Sequence, residues 1–130
     1  MDNLAINNEN NIESFLVEKI MYELKNYKFK RNSISYEFMI DCILIIIISP
    51  WKIKDFTKYV YEEVAVKYKT EAKNVMWNIN KLVNLMYLNT DSKLLEEKLN
   101  LYEGEHLSAK AFIITIARKI RTMMLKSEEI

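Results

Sequence analysis

A single glycine and a single proline in 130 residues leave this chain almost none of the material of hairpin turns. Glycine supplies the positive φ that tight β-turns need, and proline presets their first corner. No stretch alternates apolar and polar residues like a half-buried strand, so the composition points to an all-α fold. One cysteine, Cys42, excludes an internal disulfide framework. It sits in an apolar run and reads as a small hydrophobe in a reducing compartment. One histidine, His106, rules out a His-rich metal site and leaves little for a His-dependent triad. Neither a Gly-rich phosphate loop nor a clustered nucleophile and base occurs. No catalytic residue, metal ligand, cofactor or small-molecule substrate is assigned on this reading.

An excess of charge of one sign is missing too. Nineteen basic and 18 acidic side chains leave a formal +1, whereas a protein that binds nucleic acid through a broad field carries a clearer surplus. Any DNA contact therefore has to come from a local patch. Between 51 and 81 there are seven lysines (52, 54, 58, 67, 69, 73, 81) against four acids (55, 62, 63, 71), a local +3. That lean suits a modest DNA-binding face and equally a solvated helix surface. The greasiest run, Phe38 to Ile48, spans 11 residues and includes Asp41, short of the roughly 20 residues of a membrane helix. The N-terminus MDNLAINNENN lacks the basic and apolar regions of a signal peptide. A cytoplasmic protein with no membrane partner is expected.

What the chain does have is helical periodicity. Half of its residues are apolar, and its length suits one domain with a sizeable core. The organisation read from it is a flexible Asn-rich tail over 1–10, a single helical domain over 11–126, and a short tail over 127–130. The first helix is placed at 11–26, with Ile12, Phe15, Leu16, Ile20 and Leu24 on its apolar face, flanked by Val17 and Met21. A basic loop, YKFKRNSIS, follows, with Ser35 as N-cap of a second helix at 36–48 that is apolar nearly all round, as a central helix should be. Ser49 and Pro50 open a third at 51–68, split near Lys54 and Asp55. A fourth at 71–87, a short charged helix at 92–101 and a last one at 109–126, capped by Ser108, complete a compact bundle of five or six helices.

The stretch from Thr57 to Tyr87 is the most informative. Val60, Val64 and Tyr68 line one side of its first helix; Val75, Ile79, Val83 and Met86, with Leu82 beside them, mark the inward stripe of its second. Between them KTEAK places Thr70 to cap the incoming helix and Glu71 at its positive end. Two short helices, a tight turn and a polar outer face form a helix-turn-helix candidate.

Those residues resemble a specific family, the DNA-binding effector domain of stage-zero sporulation protein A. The resemblance runs from about Val17 to Arg121, with a short insertion in the 27–34 loop and a variable stretch over 88–105. Its markers are IMYEL at 20–24, TKYVY at 57–61, AVKYKT at 65–70, then Val75, Ile79 and Tyr87, and FIITIARKIR at 112–121. It implies a six-helix bundle around a helix-turn-helix and a role in transcription. Family members carry an N-terminal receiver domain, so a chain starting at Met1 with only a short tail is expected to act without that phospho-switch. The recognition helix also departs. Where the family has Ser-Arg-Val-Glu-Arg-Ala-Ile-Arg-His, this chain has Lys73, Asn74, Val75, Met76, Trp77, Asn78, Ile79, Asn80 and Lys81. The scaffold pair Val75 and Ile79 is kept while all three arginines are gone, and with them the bidentate reading of guanine worth about 1–3 kcal/mol per pair.

The expected function is a DNA-binding transcriptional regulator that inserts the 71–87 helix into the major groove of double-stranded DNA. Lys69, Thr70, Lys73, Asn74, Trp77, Asn78, Asn80 and Lys81 are the candidate DNA-binding residues, with Lys58 and Lys67 on the backbone. Asparagine pairs with adenine and lysine holds phosphates. The other reading is a degenerate helix-turn-helix that has lost DNA. It would serve as a protein-interaction module or homodimer contact through Trp77 and Met76, or as an antagonist of a related regulator. Trp77 is either such an anchor or covered by a neighbouring helix or the N-terminal tail, and Met76 either joins it or packs into the core. Asp41, aligned with a family glutamate, requires a cationic partner or hydrogen bonds if buried and is read as a structural pair.

Overall fold

The computed structural model describes residues 2–128, and side chains over 11–126; Met1 and the end of the expected C-terminal tail, 129–130, lie outside the described residues. Six α-helices occur among the described residues: α1 (Asp2–Leu24), α2 (Ile34–Ile48), α3 (Glu62–Lys67), α4 (Ala72–Asn89), α5 (Ser92–Leu99) and α6 (Ala109–Glu128). No strand occurs among the described residues. The chain is all-α, as its shortage of turn residues indicates.

Helix α2 is the axis. Its Phe38, Met39, Cys42, Ile43 and Ile46 are all at or near zero exposure, and it packs against α1, α4 and α6. A helix apolar on every side has to be surrounded to stay in water. From α6, Phe112, Ile113, Ile116 and Ala117 complete the centre, each fully buried. Two polar ties hold α6 in place. Arg121 Nη1 donates to the Ile47 carbonyl at 2.6 Å, which serves the exposed acceptors and negative end of α2. Lys119 Nζ lies 2.6 Å from the buried Glu23 carboxylate of α1.

Several boundaries differ from the periodicity reading, each for a local reason. Helix α1 runs back to Asp2 rather than starting near 11. Its buried face is also narrower than expected: Leu16, Ile20 and Leu24 are buried, while Ile12, Phe15 and Met21 are exposed. Phe15 borders a groove of about 310 Å³ beside Ile120 and Met124 instead of filling it. Helix α2 begins at Ile34, capped by Ser33, whose hydroxyl accepts from the Tyr36 N–H at 3.2 Å. Ser35, the expected cap, sits inside the helix. Helix α6 extends to Glu128, and Ser108 does cap it, accepting from the Ala111 N–H at 3.1 Å.

The split in the third helical stretch is real and more elaborate. A 3₁₀ segment, Pro50–Asp55, is followed by a π-helical turn, Thr57–Tyr61, that runs into α3. Ser49 stands at the cap position of the first without a side-chain bond, and Pro50 occupies its first turn, where an N–H has no partner to lose. In the π turn the Glu62 N–H reaches the Thr57 carbonyl, five residues back. Both Val60 and Tyr61 are thereby buried, followed by Val64 and Ala65.

Candidate nucleic-acid interface

Helix α3 and helix α4 are joined by four residues, Tyr68 to Glu71. The turn closes through two backbone bonds: Lys69 N–H to the Val66 carbonyl at 3.2 Å, and Thr70 N–H to the Ala65 carbonyl at 2.9 Å. This pair is the Schellman closure of a helix, which requires a left-handed residue just past the cap. Lys69 is that residue, with φ +55, in a place where glycine is usual.

The expected capping by Thr70 is not what forms. Glu71 occupies the N-cap of α4 and makes no side-chain cap bond; its carboxylate still stands at the positive end of the helix. The Thr70 hydroxyl instead accepts from Asn74 Nδ2 at 2.9 Å.

Helix α4 separates its faces cleanly. Val75, Ile79, Leu82, Val83 and Met86 are buried, each worth about 1.5–3 kcal/mol of hydrophobic stabilisation. Opposite them Lys73, Asn74, Trp77, Asn80 and Lys81 are exposed, and Asn78 is half-buried at the edge. Trp77 is 60 % exposed and Met76 37 %, so neither is packed away as one reading of the sequence allowed. Lys81 Nζ stands 5.3 Å from the centre of the Trp77 ring, a cation–π contact that orders both. Lys69, Lys73 and Lys81 enter no ion pair among the described residues.

The two flanks of α4 differ. On one, Asn78 Nδ2 donates to the Asn74 carbonyl (2.8 Å) and to Asn74 Oδ1 (3.0 Å), while the Ser35 hydroxyl of α2 donates to Asn78 Oδ1 at 3.2 Å. On the other, a cleft of about 380 Å³ is lined by Met76, Asn80, Lys54, Thr57, Ser108 and Lys110. Lys58 lies on the π turn beside that cleft; its N–H donates to Asp55 Oδ1 at 3.2 Å and its ammonium sits 5.4 Å from the Tyr59 ring.

Lys67 is committed elsewhere. Its ammonium reaches both oxygens of Asp41, at 3.0 and 3.1 Å, and the Tyr68 hydroxyl donates to Asp41 Oδ2 at 2.6 Å. Asp41 thus has the cationic and hydrogen-bonding partners its position demands, and the site fastens the end of α3 to α2. Burial, and then the Asp41 carboxylate, push the Tyr68 hydroxyl above the ordinary phenol range.

Sequence reasoning missed two neighbours of this face. Ser35, expected as a cap, is a strut for Asn78. Lys110 borders the cleft, together with Lys54 of the basic patch already read from the sequence. The loop between α1 and α2 is tied to the C-terminal end of α4, its Lys28 N–H donating to Thr90 Oγ1 at 3.1 Å, a placement that no local pattern encodes. Among the described residues no group of His, Cys, Asp and Glu could hold a metal, and no helix is long and apolar enough to cross a membrane.

No curated protein matches the chain. The profile of the family described as sporulation initiation factor Spo0A C terminal matches residues 17–120, from within α1 through most of α6. With most of its length matched, the interface scaffold of α2, α3, α4 and α6 included, this chain belongs to that family.

Proposed function

We propose that this chain is a sequence-reading DNA-binding transcriptional regulator that lays the exposed face of α4 in the major groove. The observation that carries the reading is the strip formed by Lys73, Asn74, Trp77 and Lys81, solvent-facing and free of ion pairs among the described residues. At 18 residues the helix is about 27 Å long, and a helix of ordinary girth fits a groove about 12 Å wide. Asn74 supplies the amide edge that pairs with adenine, and Trp77 offers apolar surface to a thymine methyl. Asn78 and Asn80 border this strip. Lys69, Lys73 and Lys81 hold phosphates, with Thr70 and Lys58 beside them and Lys67 able to contribute after leaving Asp41. Membership of the sporulation initiation factor family supports the same reading. The loss of the family's arginines implies a preference shifted toward A·T-rich sites.

The test is selection from a random duplex pool at low and moderate salt, with sequencing of what is retained. Enrichment of a short motif that disappears in the Lys73→Glu/Lys81→Glu variant is the expected result. Retention with no enrichment at either salt would reject sequence reading.

A second reading is favoured by one observation, the 60 % exposure of Trp77 next to Met76. Exposed tryptophan is a common anchor of protein interfaces, and a partner protein or second copy bound there would leave DNA aside. Salt separates the two: contacts to phosphates weaken steeply as salt rises, whereas a Trp-centred contact holds.

A further inference from the structure

We propose that the loop over 25–33 is a second DNA-contacting element, a phosphate clamp in which Lys28, Lys30 and Arg31 grip the backbone beside the groove occupied by α4. The inference rests on the reading of α4 given above and extends it to a part of the chain that the recognition helix does not include.

Position comes first. Two hydrogen bonds bracket the segment, one from the loop itself and one from the first turn of α2 that follows it. The Lys28 N–H donates to Thr90 Oγ1 at 3.1 Å, at the C-terminal end of α4, and the Ser35 hydroxyl reaches Asn78 Oδ1 at 3.2 Å, near its middle. From 78 to 90 is about 18 Å of helix rise. The loop therefore leads from the C-terminal end of α4 to the first turn of α2, where Ser35 meets Asn78 at the edge of the face that carries Lys73, Trp77 and Lys81.

Charge comes second. Residues 24–36, LKNYKFKRNSISY, hold four cations and no acid. Lys25, Lys28, Lys30 and Arg31 are all exposed, and none is in an ion pair among the described residues. In a chain whose total is only +1, a run of this kind is the densest one-signed stretch beside the helix. An anionic polymer is the ligand it matches.

Rigidity comes third. The aromatic residues between the cations point inward: Tyr27 is buried and its ring meets Phe112 edge-on at 5.2 Å, and Phe29 does the same at 5.6 Å. The Ser33 hydroxyl donates back to the Lys30 carbonyl at 2.9 Å. Lys28 and Lys30, alternating with the buried Tyr27 ring and the half-buried Phe29 ring, are held outward on a fixed backbone. Pre-placed cations lose less freedom on binding than cations on a floppy tail. Duplex DNA is favoured over an acidic protein because the loop that carries these charges is tied at one end to α4, whose exposed face is already suited to a groove.

The variant Lys28→Gln/Lys30→Gln/Arg31→Gln tests this in the full chain, with the duplex recovered from the random pool and a random 25-base-pair duplex as probes. Each phosphate contact contributes about 0.9 to the slope of log affinity against log salt. Three lost contacts mean that over a fourfold rise in salt the parent weakens about 40-fold more than the variant. The base preference of the retained sequences should not change, and the helical signal by circular dichroism should match the parent's. A parent that binds and a variant with an unchanged slope would overturn the clamp while leaving the α4 reading intact. Loss of slope in Lys73→Glu/Lys81→Glu alone would do the same. A parent that binds neither duplex would overturn both.

Discussion

The Thr70 N–H donates to the Ala65 carbonyl at 2.9 Å, and the chain between them passes through Lys69 at φ +55. An L-residue with a Cβ is held in this left-handed region at a cost of about 1 kcal/mol, which glycine avoids. The same closure ends α5, where Leu101 N–H reaches the Glu96 carbonyl at 2.8 Å around Asn100, also at φ +55. Asparagine tolerates this conformation; lysine has no such excuse. The single glycine, Gly104, is used elsewhere, at φ +78.

Lys69→Gly should therefore stabilise the protein by about 0.5–1 kcal/mol in urea unfolding, after the added freedom of the unfolded chain is counted. It should at the same time weaken DNA binding several-fold through loss of one phosphate contact. Stability without loss of affinity would mean that Lys69 does not touch the backbone; neither effect would mean that the turn is unstrained.

Asp41, Tyr68 and Lys67 permit a sharper division of labour. The Asp41 side chain is 13 % exposed and that of Lys67 is 61 % exposed, so the two partners of one carboxylate differ in worth. A hydrogen bond to a charged group contributes about 1.5–3 kcal/mol, and an exposed ion pair about 0–1. Tyr68→Phe should lower the unfolding free energy by about 2 kcal/mol and Lys67→Ala by less than 1. Equal losses would show that the ion pair, not the tyrosine, fastens α3 to α2.

The sequence shows most of this scaffold because burial leaves a periodic trace. Val75, Ile79, Val83 and Met86 recur at helical spacing, and all four are buried. The continuous apolar run of 38–48 is the central helix for the same reason. Capping was less legible. Ser33, Ser35 and Thr70 are interchangeable by residue type, and which hydroxyl caps depends on where the backbone leaves the helix. The Ser35–Asn78 and Lys28–Thr90 contacts join residues 43 and 62 positions apart, and no local pattern encodes them. Midway along α1, Ile12 and Phe15 carry the right period yet stand exposed, because period alone does not say whether a neighbouring helix is there to cover a residue.

Alkaline pH should unfold the protein through its tyrosines. Burial above all raises the hydroxyls of Tyr27, Tyr36, Tyr61, Tyr68 and Tyr87 above the ordinary phenol range. An unfolded tyrosine ionises near pH 10, so above that pH the unfolded chain gives up protons that the folded chain keeps. Stability from these groups is then fully present below about pH 10 and falls as pH rises further. In a titration followed at 295 nm, the absorbance of these five tyrosinates should rise together with the loss of helical circular dichroism. Ionisation of all of them before the helix signal changes would show that they are open to water.

Asn74 and Asn78, placed together on the candidate face by sequence, should behave differently. The Asn78 amide is already used: its nitrogen donates twice to Asn74 and its oxygen accepts from Ser35. Asn74 donates once, to Thr70, and keeps a proton and a lone pair on an exposed edge, the pair of groups that adenine requires. Asn74→Ala should relax base preference at one position by about 1–3 kcal/mol with little change in stability. Asn78→Ala removes the strut to α2; it should lower stability by about 1 kcal/mol and weaken binding to all sequences by a similar factor. A binding-site logo measured for each variant decides the matter. Loss of one position with Asn78→Ala, and of none with Asn74→Ala, would reverse their roles and mean that the Ser35 bond yields when DNA arrives.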